Sequence, residues 1–207
     1  MNRIDKKFIQ LRKQGKKAFI AFITAGDPSL AITEKLVLAF EKAGVDIIEL
    51  GVPFSDPLAD GATIQAASQR SLSRGTTLLK ILGLVKRLRQ KTELPMALMT
   101  YYNPVFHFGE SRFVKLASSV GVDGLIIPDL PPEEATCLIK QARQKNLATI
   151  FFLAPTTNPN RVPFINKASS GFIYYVSVAG VTGARTALPQ SLIADLKQIK
   201  RKVSKPL

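Results

Sequence analysis

Apolar segments rich in β-branched residues recur along the chain, separated by segments in which apolar positions follow a helical period. The apolar segments are hydrophobic at both alternating positions, which is typical of parallel strands covered on both faces. Six such strands are predicted, at 18–24, 46–51, 96–101, 124–128, 148–153 and 172–177. Amphipathic helices are predicted between them, most clearly at 29–43 and 133–145. Strands that alternate with helices indicate an α/β fold.

The spacing of the strands predicts a barrel. Six βα units in a row fit either a (β/α)8 barrel or a doubly wound open sheet. The loop after the first strand reads TAGDPS and lacks the Gly-rich turn of a dinucleotide site, whereas polar residues follow nearly every strand at its carboxyl end. The chain is therefore predicted to be one domain over residues 1–207, a TIM barrel that is incomplete, with about six of its eight βα units present.

The gap between the second and third strands is twice as long as the others. Pro53, Pro57 and Gly61 interrupt any regular element there, so a long loop is predicted, followed by an additional short helix at 62–74. Loops of this length in compact domains are usually functional.

The composition is that of an ordinary globular protein, with 46% apolar and 21% charged residues, except for a net charge of +14. The charge leaves a nucleic-acid-binding protein as an alternative, but the basic residues fall in predicted helices and tails without interleaved aromatic residues, which favours solvated helix faces. No apolar run approaches the roughly 18 residues that span a bilayer. The single Cys137 cannot form an internal disulfide, which fits a cytoplasmic protein.

Two carboxylates are the candidates for chemistry. Glu49 lies in the apolar segment IIELG, where burial raises the pKa of a carboxyl toward the range of a general acid or base. Asp60 lies in the long loop SDPLADG, which could close over a substrate. The alternatives are a structural glutamate that binds a backbone amide and an ordinary turn aspartate.

The rarity of other reactive side chains reduces the number of possible catalytic mechanisms. His107 and Cys137 are the only residues of their types, and no lysine lies within the predicted strands. A histidine metal site, a Ser-His-Asp relay and a Schiff-base lysine on a strand are therefore disfavoured. Of the kinds of catalysis considered, metal-free proton transfer by carboxylates is the one that remains. The loop after the sixth strand contains Gly180, Thr182 and Gly183, whose amides and hydroxyl could bind a phosphate.

Several segments together resemble the tryptophan synthase alpha subunit family. ELGVPFSDPLADGATIQ at 49–65 is similar to the family's signature segment. FITAGDP, YYNP, PDLPPEE, LAPTT and YYVSVAGVTGAR follow the family's other segments in order, so that the resemblance runs essentially from end to end.

The resemblance implies a lyase of tryptophan biosynthesis that cleaves indole-3-glycerol phosphate to indole and glyceraldehyde 3-phosphate by a retro-aldol reaction. It assigns acid–base catalysis to Glu49 and the indole N–H contact to Asp60. It also implies an alpha2-beta2 assembly with a beta subunit, which holds the pyridoxal phosphate, so that no cofactor is expected in this chain. The substrate-binding residues that it implies are Phe22, Ile64, Tyr102, Leu153, Tyr174, Thr182 and Gly183.

The sequence departs from the family pattern in two places. Ala62 stands where the signature usually has proline, at the predicted start of the additional helix. KRKVSKPL at the end resembles the approach to a seventh strand, so the last two βα units and their phosphate-binding loops are expected to be missing. This leads us to expect poor folding and little or no lyase activity from the isolated chain. A non-catalytic fragment that retains beta-subunit binding is the alternative to the enzyme.

Overall fold

The computed structural model describes residues 1–177 and 192–207. Strands and helices alternate along this part of the chain, as the hydrophobic pattern predicts. The strands are β1 (Ile20–Thr24), β2 (Ile47–Gly51), β3 (Met96–Met99), β4 (Gly124–Ile126), β5 (Ala148–Ile150), β6 (Phe152–Leu153) and β7 (Tyr174–Tyr175). The helices are α1 (Arg3–Lys13), α2 (Leu30–Lys42), α3 (Ala62–Ser73), α4 (Leu78–Leu88), α5 (Tyr102–Phe108), α6 (Glu110–Val120), α7 (Thr136–Gln144), α8 (Val162–Ala168) and α9 (Leu192–Lys200).

The strands are parallel and follow one another in chain order. β1 to β5 form one sheet in the order β1-β2-β3-β4-β5, and β6 pairs with β7. The predicted strand 148–153 is interrupted at Phe151, so that β5 and β6 occupy one strand position with partners on opposite sides. The described residues therefore supply the six predicted strand positions.

Side chains from one face of every strand position meet in a single cluster, which requires the sheet to curl around them. Its members are Ile20, Ile47, Ala97, Met99, Ile126, Ala148, Ile150, Phe152 and Tyr174, together with Ile4, Phe8 and Phe172. A larger cluster, which includes Ile48, Leu50, Leu98 and Leu125, fills the layer between the outer face of the sheet and the helices. Two-layer packing of this kind is that of an α/β barrel, so the fold prediction is confirmed.

Helix α1 closes the amino end of the barrel. Asn2 caps this helix in a capping box with Asp5, and its side-chain amide donates to the carbonyl of Asp123 at 2.8 Å. Ile4 is fully buried and lies against Gly171, where φ is +77° and an added Cβ would be 3.2 Å from Ile4. Ile4 of helix α1 can therefore pack at this position because residue 171 has no side chain.

A buried ion pair fixes the same end. The Asp123 carboxylate accepts from Arg89 Nη2 at 2.5 Å, from the Met96 amide at 2.9 Å and from Arg3 Nη1 at 3.2 Å. Arg89 also donates to the carbonyls of Gly121 and Leu94 at 2.7 Å each. Both charges are therefore well satisfied by hydrogen bonds, as burial requires.

The predicted helices are present with small shifts at their ends. The additional helix after the long loop begins at Ala62, as predicted, with Gly61 as its N-cap. The predicted helix 133–145 begins only at Thr136, because the amides of Glu134 and Ala135 both donate to the Pro131 carbonyl and form a turn first. No helix in the described ranges is both long and apolar enough to cross a membrane.

Candidate active site

Glu49 lies inside the barrel on β2. It shares a face of that strand with Ile47 of the inner cluster and Gly51, and it is in register with Phe22 on β1 and Ala97 on β3. Its side chain is 3% exposed, and no hydrogen bond or ion pair reaches its carboxylate from the residues that the structure describes. Burial raises the pKa of Glu49 to about 7. Near neutral pH the group can therefore both give and accept a proton.

A small cavity opens at the carboxyl ends of β1, β2 and β3. Gly51 lines it and follows Glu49 by two residues on the same face of β2, and Phe22, the β1 residue in register with Glu49, lines it as well. The loop that follows β2 forms one wall of the cavity. The lining residues are Phe22, Thr24, Gly51, Val52, Asp60, Ile64, Ser68, Met99, Thr100, Tyr101 and Pro128.

Phe22 forms the floor of the cavity because residue 51 is a glycine. A Cβ added at Gly51 would be 2.5 Å from the Phe22 ring, closer than any real carbon contact. The edge of the ring therefore occupies the space that a side chain at residue 51 would need. This provides an apolar surface next to Glu49 that suits a flat aromatic ligand.

Asp60 reaches the cavity from the long loop. Burial raises its pKa, and a hydrogen bond with the Tyr101 hydroxyl opposes part of that rise. The loop is anchored next to it, because the Gln65 side-chain amide donates to the Asp60 carbonyl at 2.8 Å. The amide of Ala59 donates to the Tyr101 hydroxyl at 2.9 Å. Asp60 therefore lies at the cavity, and its contact with a substrate stays a prediction.

Tyr174 faces the barrel interior from β7. Its ring packs against Phe152 with the ring centroids 5.0 Å apart. Burial raises the pKa of the Tyr174 phenol, and the negative charge of Glu49 adds to the rise. The phenol and the Glu49 carboxyl are therefore electrostatic neighbours inside the barrel.

The structure does not bring all the predicted pocket residues together. Tyr102 begins α5 on the outside of the rim, where its hydroxyl donates to Glu110 at 2.8 Å and its ring contacts Phe106. Its neighbour Tyr101, which the resemblance did not single out, lines the cavity instead. Leu153 is buried in the outer cluster, because consecutive strand residues face opposite sides and Phe152 takes the inner position.

The remaining predicted residues divide into two groups. Phe22, Ile64 and Asp60 line the same cavity, next to Glu49. Thr182 and Gly183 lie outside the described residues. Within the described ranges, no three His, Cys, Asp or Glu side chains are arranged to hold a metal ion.

Fold and site together define an α/β-barrel protein in which burial raises the pKa of two carboxyl groups, Glu49 on β2 and Asp60 in the loop after it. Residues 8–207 match the family model described as tryptophan synthase alpha chain. The chain belongs to this family, whose members are lyases. The resemblance read from the sequence is confirmed.

The similarity to individual proteins is high over the whole chain. The tryptophan synthase alpha chain of Geotalea uraniireducens is 56% identical over 207 residues, which are 100% of this chain and 78% of the relative. That of a Thermoanaerobacter species is 46% identical over 206 residues and again covered to 78%. None of these matches favours a non-catalytic fragment over the alpha chain.

Solved structures agree with the sequence matches. The alpha subunit of Legionella pneumophila superposes with a TM-score of 0.92 at 38% identity, over 100% of this chain and 77% of the Legionella chain. A chain of the tryptophan synthase a2b2 complex of Pyrococcus furiosus superposes with a TM-score of 0.85 at 39% identity, over 91% and 75% of the two chains.

Proposed function

We propose that this chain cleaves indole-3-glycerol phosphate to indole and glyceraldehyde 3-phosphate, with Glu49 as the acid–base catalyst. The observation that carries the proposal is the Glu49 carboxyl, which has a pKa of about 7 and lies on the inner face of β2 beside Phe22 and Gly51, two residues that line the cavity. A general acid or base is most effective when its pKa is near the working pH.

The chemistry requires one group that first gives a proton and then takes one. Protonated Glu49 donates to the indole carbon that bears the glycerol chain, and the ring becomes a cationic electron sink. The resulting carboxylate accepts the proton of the adjacent glycerol hydroxyl as the carbon–carbon bond breaks. The bonding electrons return to the ring, so that indole and an aldehyde form and Glu49 ends protonated again.

Asp60 acts on the other side of the ring. Its carboxylate accepts a hydrogen bond from the indole N–H and stabilises the positive charge that develops on the nitrogen during ring protonation. A carboxylate that lines the cavity from the loop at its rim suits this role. Thr182 and Gly183 are proposed to bind the phosphate, on the basis of the resemblance alone.

We also propose that the chain pairs with a tryptophan synthase beta subunit in an alpha2-beta2 assembly. The Pyrococcus furiosus protein that it resembles was solved as an a2b2 complex. The pyridoxal phosphate belongs to that partner, and the chemistry proposed for this chain uses its own carboxylates. A cytoplasmic location is proposed from the lone Cys137, which is free and exposed.

Indole release tests the proposal. The purified 207-residue chain is mixed with synthetic indole-3-glycerol phosphate, with and without a tryptophan synthase beta subunit, and indole is measured by chromatography. Indole release without the beta subunit would refute the expectation that the isolated chain is inactive. Glu49→Gln should lower turnover at least about 100-fold while it keeps substrate binding, because the isosteric amide cannot transfer the proton. Glu134→Gln, at an exposed glutamate outside the cavity, is the matched control.

Two results would contradict the proposal. Near-normal turnover in the Glu49→Gln variant would remove the assigned role of Glu49. A wild-type chain that binds the beta subunit but releases no indole would support the non-catalytic alternative instead.

A further inference from the structure

Two buried hydroxyl groups line the cavity without a protein partner. Thr24 is 9% exposed and Ser68 is 4% exposed, and both line the cavity that Asp60 also lines. No hydrogen bond reaches either hydroxyl from the residues that the structure describes, and neither oxygen is sealed from solvent there. Since buried hydroxyls in folded proteins nearly always have a hydrogen-bond partner, these two require one from inside the cavity.

Two neighbouring elements bring these hydroxyls to the same part of the cavity. Thr24 is the last residue of β1 and shares a strand face with Phe22, which also lines the cavity. Ser68 lies on α3, and the hydroxyl of Ser71 on the same helix donates to the Ala25 carbonyl at 2.7 Å. This bond holds α3 against the end of β1. The two hydroxyls are therefore presented by regular elements and not by the loop.

The rest of the cavity offers an indole ring mainly apolar contacts. The apolar side chains that line it are Phe22, Val52, Ile64, Met99 and Pro128. The hydroxyl of Thr100 already donates to the Tyr101 carbonyl at 3.2 Å. An indole whose N–H is bound by Asp60 has no second polar group for the two free hydroxyls, which are left to water. A hydroxyl on the ring could replace that water and reproduce its hydrogen bonds.

We propose that Thr24 and Ser68 form a polar subsite that binds a hydroxyl group on the benzene ring of an indole ligand. This rests on the proposed function and deepens it, since it extends the substrate class to indoles that are hydroxylated on that ring. A ring hydroxyl has one hydrogen to donate and lone pairs to accept, and the serine and threonine hydroxyls have the same. One ligand hydroxyl can therefore donate to one of the two residues and accept from the other.

Fluorescence titration of the 207-residue chain with indole ligands tests this inference. The chain contains no tryptophan, so light beyond the absorption of tyrosine excites only the added ligand. The ligands are indole, the isomers with a hydroxyl at each benzene-ring carbon, and the corresponding methylindoles. At least one hydroxyindole should bind about fivefold or more tighter than indole, because it gains hydrogen bonds where indole has none. The methylindole substituted at the same carbon should bind less tightly than that hydroxyindole.

Substitutions then assign the preference to the two residues. Thr24→Val and Ser68→Ala remove the hydroxyls with little change of shape, singly and together. The preference for the hydroxyindole over indole should fall to less than about twofold in the double variant. Ser119→Ala is the control and should keep the wild-type preference, since the Ser119 hydroxyl is exposed outside the cavity and donates to the Leu116 carbonyl.

The wild-type titrations can overturn the inference whether or not the variants fold. If indole binds and no hydroxyindole binds more tightly, or if the methylindole binds as tightly as its hydroxylated counterpart, the inference is wrong although the proposed function stands. A preference that persists in the folded double variant has the same meaning. A chain that binds neither indole nor any hydroxyindole contradicts the proposed function itself, and this inference with it.

Discussion

Ionised Glu49 should make the folded chain less stable as the pH rises, and this can be measured without any substrate. The pKa of Glu49 is about 7 in the folded protein, against an ordinary value of 4.5, because burial disfavours the carboxylate. Between these two values the folded chain keeps a proton that the unfolded chain releases. Stability due to this group is therefore highest in acid, falls as the pH rises from about 4.5 to about 7, and is constant above that range.

The size of the effect follows from the two pKa values. Each pKa unit corresponds to about 1.4 kcal/mol, so ionised Glu49 should lower the free energy of unfolding by about 3 kcal/mol relative to an exposed glutamate. About 1 kcal/mol of this is already lost at about pH 5, and nearly all of it is lost at about pH 8. Glu49→Gln removes the titration but keeps the shape of the side chain. The stability of the variant relative to wild type should therefore increase by about 2.5 kcal/mol between the two pH values.

Urea unfolding followed by circular dichroism measures this difference. Wild type, Glu49→Gln and the exposed control Glu134→Gln are each unfolded at about pH 5 and about pH 8. Comparing the change between pH values cancels the pH-independent cost of burying an amide. A relative stability of Glu49→Gln that is the same at both pH values would show that Glu49 is solvated or paired in the folded chain. Glu49 would then lack the raised pKa that proton transfer near neutral pH requires.

Two further substitutions test the surroundings of the site. Gly51→Ala should displace the Phe22 ring, lower the free energy of unfolding by about 1–3 kcal/mol and raise KM for indole-3-glycerol phosphate; unchanged KM and stability would show that the ring does not need the glycine. Arg89→Met should lower the free energy of unfolding by about 3–5 kcal/mol, because it leaves the Asp123 carboxylate buried without its main partner. Arg70→Met, at the exposed ion pair with Asp27, serves as its control and should change the urea midpoint little.

The strands and Glu49 could be predicted from the sequence because each depends on local chemistry. A strand buried on both faces must be apolar at consecutive positions, and β2 is buried at all five of its residues. A glutamate within such a segment has no access to water in any parallel sheet. The raised pKa of Glu49 therefore follows from the segment IIELG and does not depend on the details of the barrel.

The pocket residues at strand ends could not be predicted in the same way, because there a single position decides which side a residue faces. Tyr101 and Tyr102 are adjacent and chemically identical, yet the first lines the cavity and the second binds Glu110 outside it. The start of α5 separates them, and this start is set by the Asp129 carboxylate, which is distant in sequence and accepts the Tyr102 amide. The acid can therefore be recognised from the sequence, whereas the tyrosine that lines the cavity beside it becomes evident only when the ends of neighbouring strands are brought together.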